Sequence, residues 1–178
     1  VNGIRKDERY ADFIKLLSLI EQSKTAQECL DSIKYDENSI TNRLITDDVY
    51  KKPYEKYVLL RLELAVAELD QIREFTARTT EHVFPQTPEE GSEWSKFATA
   101  DERSKFVNKL GNLILLSQGK NSSASNKDFA EKKEKYLATR VSDFPRSSQV
   151  LGHATWTPEI IETRTKEAAE LVLRDPAK

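Results

Sequence analysis

Glu81 and His82 stand side by side in the run EHVFPQ, and asparagines follow at Asn112, Asn121 and Asn126. A histidine titrates near neutral pH and can take a proton from water. Carboxylate and amide oxygens suit Mg²⁺, which keeps several waters and needs few protein ligands. One such ion stabilises charge on a phosphorane and on a departing oxygen as a Lewis acid. The combination points to hydrolysis of a phosphodiester, with Glu81 and Asn121 as ligands to one ion. Adjacent residues of an ideal strand face opposite ways, so Glu81 and His82 converge only if the strand bends or ends there. Pro85 offers a place for that.

Three short elements must position these residues. Arg78-Thr79-Thr80 is β-prone, and Val83-Phe84 extends the preference up to Pro85. The run GNLILLSQGKN, Gly111 to Asn121, reads as a Gly-Asn turn, an apolar strand and a return loop holding Asn121. SNKDFAEKKEKYL, Ser125 to Leu137, reads as a capped helix. Between the strands lies a polar excursion. There Trp94 and Phe97 serve as anchors, a helix spans Asp101 to Lys109, and Gly111 ends it.

A strand pair this small is not stable alone, so the first eighty residues are expected to form its platform. Tyr10, Phe13, Ile14, Leu16, Leu17 and Ile20 keep a helical spacing to about Ser23-Lys24. Thr25 with Glu28 opens a second helix, with Leu30 and Ile33 facing inward. Asp36 to Asn42 reads as a polar turn, with a helical turn around Ile40 to Ile45. The longest helix is expected from Tyr54 to Phe75, on the stripe Val58, Leu62, Ala65, Leu69 and Ile72. After an irregular segment over 138–154, which includes His153, Thr157-Pro158 opens a last helix to about Arg174. The fold class is therefore mainly α with a small two-stranded antiparallel β element. It is read as one domain: helical platform 1–78, strand-strand-helix core 79–137, and C-terminal loop and helix 138–178.

The net charge of −2 hides a gradient: Arg103 to Arg146 carries 10 basic against 4 acidic side chains. That block coincides with the second strand and the following helix, which points to phosphate contact. Lys120, Lys127, Lys132, Lys133 and Arg164 are the candidates. Cys29 is the only cysteine, which excludes an intrachain disulfide and a Cys-rich zinc site, and it reads as a small buried hydrophobe. No apolar run approaches the ~20 residues that cross a bilayer and no signal peptide is visible, so a cytoplasmic protein without membrane partners is expected. The absence of methionine suggests the C-terminal part of a longer protein.

EHVFPQ, GNLILLSQGKN and SNKDFAEKK together resemble the HNH, or His-Me finger, endonucleases with a ββα-metal core. More narrowly they resemble the C-terminal nuclease domain of GmrSD-type modification-dependent restriction proteins, including SspE-type proteins that act with DNA phosphorothioation. The likeness is strong over Thr79 to Tyr136, and VLLRLELAV and WTPEIIETR extend it more loosely. It implies His82 as general base, Glu81 as the metal-binding acid and Asn112 as the middle residue that ties the loop and orients the histidine. Asn121 becomes the last metal ligand, from the helix. Asn126 is a further family asparagine, followed by Phe129 and Lys133. Many HNH enzymes have Asp where Glu81 stands and His where Asn121 stands. The implied activity is Mg²⁺- or Mn²⁺-dependent cleavage or nicking of double-stranded DNA, with phage DNA as the expected target and one catalytic ion. The implied partner is an N-terminal nucleotide-hydrolysing sensor domain. The alternative is a catalytically inactive module of the same fold that binds DNA or docks between domains.

Overall fold

A computed structural model describes residues 6–23, 25–33, 36–67, 78–97, 99–137 and 144–174. The chain divides into two compact units, Val1–Glu37 and Asn38–Lys178. In the first, α1 (Lys6–Gln22) and α2 (Ala26–Ser32) have the expected bounds, and Thr25 caps α2 by accepting the Glu28 N–H at 3.1 Å. Neither helix holds a buried residue. Leu30 and Ile33, expected to face inward, are exposed, and Cys29 is only partly buried.

The second unit is mostly helical around one antiparallel strand pair. Helix α3 (Glu37–Thr46) is continuous where a polar turn was expected, because Ile40, Leu44 and Ile45 pack into the core beside α4. Helix α4 (Glu55–Val66) buries Val58, Leu59 and Leu62, and Ala67 already has extended backbone. The expected continuation through Leu69 and Ile72 lies outside the described residues.

Strand β1 (Arg78–His82) pairs with β2 (Leu113–Ser117), with Thr79 opposite Leu116, Glu81 opposite Ile114 and His82 opposite Leu113. Four consecutive apolar residues of β2 are buried because core covers both faces of the sheet. Leu113 and Leu115 pack with Val49, Val58, Leu59, Leu62 and Ala168. Ile114 and Leu116 pack with Trp94, Ala124, Phe129, Tyr136, Trp156 and Ile161. Each such side chain contributes roughly 1.5–3 kcal/mol by leaving water.

The strand ends at His82 rather than running to Pro85: the Val83 N–H still reaches the Asn112 carbonyl in register, but at Phe84 the backbone N–H and carbonyl bond the Asn112 side chain and the ring turns into the core. The excursion helix is also shorter than expected. It is α5 (Ala100–Arg103), closed by a reciprocal cap between Thr99 and Glu102, and turns follow it. Trp94 is fully buried as an anchor, whereas Phe97 is exposed.

Gly111 does not end a helix. A Cβ there would lie 2.1 Å from the Ile161 carbonyl oxygen on the backbone of α9 (Pro158–Leu171), so glycine is needed for close approach. After β2 the chain forms α6 (Gln118–Ala124) where a return loop was expected, capped by Ser117. Next come α7 (Phe129–Leu137) and α8 (Pro145–Ser148).

Candidate active site

β1 keeps its alternation to its last residue, so the bend expected to bring Glu81 and His82 together does not occur. Thr80 and His82 face the turn between α3 and α4, while Thr79 and Glu81 face α6 and α7.

His82 is buried, 8% exposed. Its ring meets Tyr50 edge-on, with centroids 4.3 Å apart, and its Nε2 lies 3.2 Å from Asn108 Oδ1. Gln86 Nε2 donates to the same oxygen at 3.1 Å. With Asn108 Oδ1 facing the ring, the tautomer that bonds it carries the proton on Nε2 and leaves Nδ1 as the basic atom. Burial lowers the imidazole pKa to about 4; Asn108 opposes this, and Lys132 and Lys51 add to it. The ring is therefore neutral near physiological pH, the state a general base requires.

Glu81 is also buried, and its Oε1 accepts from Lys132 Nζ at 2.7 Å and from the Tyr136 hydroxyl at 2.9 Å. Lys132 Nζ donates to the His82 carbonyl at 2.7 Å as well. Burial raises the Glu81 carboxyl pKa, and the lysine and tyrosine act in the opposite sense. Lys132 is fully buried, which corrects its reading as a DNA contact. The signal was present: Phe129, Lys132 and Tyr136 recur at helical spacing and share the inward face of α7.

Asn112 has no exposed surface and uses all of its side-chain hydrogen-bonding capacity. Its Nδ2 donates to the Phe84 and Val107 carbonyls at 2.9 and 2.8 Å. Its Oδ1 accepts from the Phe84 N–H at 2.8 Å and the Trp156 indole N–H at 3.0 Å. It ties the segment after His82 to the rest of the core, while the imidazole itself bonds Asn108. Asn121, on α6, donates from Nδ2 to Thr79 Oγ1 at 2.8 Å and to the Thr80 carbonyl at 3.0 Å. Both of its amide hydrogens are thus spent on β1. Asn126 is half-buried in the loop between α6 and α7, which follows Ser125 at φ 43°.

Residues 7–171 match the family described as GmrSD restriction endonucleases, C-terminal domain. The chain belongs to that family. No curated protein and no solved structure matches it. Membership in a restriction endonuclease family indicates nuclease activity, and a nuclease domain has DNA as its coarse substrate class. No helix among the described residues is long and apolar enough to cross a membrane.

In this GmrSD C-terminal domain most of the nominated cations are already engaged. Lys120 Nζ donates to the Tyr136 carbonyl, and Lys133 Nζ donates to the His153 carbonyl at 2.9 Å while lying over the Phe129 ring. Lys127 is half-exposed, 3.7 Å from Glu131. Arg164 is buried; its Nε donates to the Gly111 carbonyl at 3.2 Å and its guanidinium stacks on Trp156, so it holds α9 in place and its reading as a DNA contact is corrected. His153 sits at an irregular turn, its ring edge-on to Trp156.

Sequence reasoning missed Tyr50, Glu55 and Asn108 on the His82 side. Glu55 is buried and accepts from Thr80 Oγ1 and from the Lys51 N–H. The Asn108 carbonyl accepts from Val49 N at 3.0 Å, pinning the α3–α4 turn to the site. None of the three has a motif in the chain; only folding brings them to β1.

Proposed function

We propose that this domain is a metal-dependent DNA endonuclease or nickase in which His82 is the general base. The observation that carries the reading is a buried, neutral imidazole at the end of β1, held by Asn108 and Tyr50. Its Nδ1 takes the proton of the attacking water, while Asn108 fixes the ring and Asn112 fixes the chain that leaves the strand.

Among the described residues no group of three or more His, Cys, Asp or Glu stands together to hold a metal. A carboxylate and an amide oxygen on one face of β1, Glu81 and Asn121, suit an ion that keeps most of its waters. Those two residues would hold Mg²⁺ or Mn²⁺, with Asn126 as a further active-site group; they lie on the face of β1 opposite the imidazole, so joint action with His82 requires the strand end to turn. When bound, the ion supplies Lewis-acid stabilisation of the phosphorane and of the leaving oxygen. Lys132 and Tyr136 set the position of the Glu81 carboxylate, and Lys132 also holds the His82 backbone.

The setting is a cytoplasmic restriction system. In it, an N-terminal nucleotide-hydrolysing domain of the same protein would license cutting of modified, phosphorothioated or phage DNA. The family's description as a C-terminal domain supports that arrangement. The test is nicking of supercoiled plasmid with Mg²⁺, Mn²⁺ or chelator. His82→Ala should abolish it in a protein that still melts cooperatively, and nicking that persists in the variant sinks the assignment.

A further inference from the structure

We propose that Lys51, on the turn between α3 and α4, contacts a non-bridging phosphate oxygen of duplex DNA beside His82. This rests on the nuclease reading above, and it places a substrate contact on the helical platform, outside the strand-strand-helix core.

Lys51 has φ 62°, in the left-handed region where glycine or asparagine is favoured, so backbone preference does not explain a lysine there. The conformation is held from several sides. The Lys51 N–H donates to Glu55 Oε2 at 2.5 Å, and the other oxygen of that carboxylate accepts from Thr80 on β1. Lys52 N donates to the Val49 carbonyl at 3.1 Å, and Val49 N to the Asn108 carbonyl at 3.0 Å. A lysine on a merely solvated face needs no such anchorage.

The side chain is exposed, with Nζ 5.3 Å from the centre of the Tyr50 ring, which also meets the His82 imidazole edge-on at 4.3 Å. Its charge reaches the imidazole. None of the ion pairs among the described residues includes Lys51. An ammonium outside those ion pairs, over the ring that meets the candidate base, is suited to balance charge as it builds on the phosphorane.

The test uses duplex DNA binding by His82→Ala over a range of salt concentrations, and nicking by variants that keep His82. Lys51→Gly relieves the positive φ while removing the charge, so its melt should be unchanged or raised. It should lower the slope of log affinity against log salt by about 0.9, the loss of one phosphate contact. In the His82-containing protein it should slow single-turnover nicking by about 10²-fold. Lys51→Arg should restore both slope and rate to near wild type. A folded Lys51→Gly protein with an unchanged salt slope overturns the proposal, whatever its rate. Nicking that survives His82→Ala overturns the nuclease reading instead, and absence of any DNA binding overturns both.

Discussion

The imidazole of His82 pays for its neutrality in pH dependence. Its pKa falls from 6.5 to about 4 on folding, chiefly through burial. Protonation is therefore disfavoured in the fold, and the stability tied to the neutral ring is complete above about pH 6.5 and lost as pH falls through about 4. The full difference is on the order of 3 kcal/mol. Denaturant melts of wild type and His82→Gln between about pH 7 and 4 should show the wild type losing more, by about that amount; equal losses would contradict the burial argument. Nicking should likewise hold down to about pH 5 instead of failing near 6.5. At this scale the sequence exposed the histidine well, since EHVFPQ and GNL frame it. It did not expose Asn108, whose importance comes from where the α5-to-β2 connection passes. The true partner of Glu81 was legible from the inward face of α7, but only to a reading that allowed a lysine to be buried against an acid.

The strand pair was legible as an element because an unbroken apolar run in a short strand signals burial on both faces. α6 was not: its Gly, Ser and Asn residues have weak helix propensity, and the Ser117 cap with the Asn121 bonds to β1 overrides it. The two glycines flanking β2 separate these influences. Gly111→Ala drives a methyl into the α9 backbone and should destabilise by about 2–3 kcal/mol or more. Gly119→Ala, in α6 with open space around it, should be neutral or stabilising by up to about 1 kcal/mol. Urea denaturation of both variants checks the pair, and a harmless Gly111→Ala would mean that α9 does not cross there as closely as described.

Across the Asn38–Lys178 unit, one sheet is the shared wall of two hydrophobic clusters. Leu115→Ala weakens one cluster and Ile114→Ala the other, each by about 2–5 kcal/mol. Because both residues belong to β2, the two substitutions should shift the same cooperative transition. Coincident fluorescence and circular dichroism midpoints in each variant would show it, whereas a biphasic melt in either would divide the clusters. The basic block was also legible at this scale, but its use was not. Lys120, Lys133 and buried Lys132 cap carbonyls or pair internally, so charge counting overstates what faces DNA. In α1 the helical spacing of Tyr10, Phe13, Ile14, Leu17 and Ile20 was read correctly, yet that face is exposed.

Trp94 and Trp156, the two tryptophans of the chain, are both buried in the cluster on the Glu81 side of the sheet. Phe129 stands between them, 6.3 Å from one ring centre and 5.6 Å from the other. One indole N–H is held by the Lys127 carbonyl and the other by Asn112. The molecule thus carries an intrinsic optical reporter beside its candidate site: blue-shifted emission marks an intact packing of α7 against β2. Neither α1 nor α2 contains an indole, so the same light is emitted wholly from within the unit that holds His82.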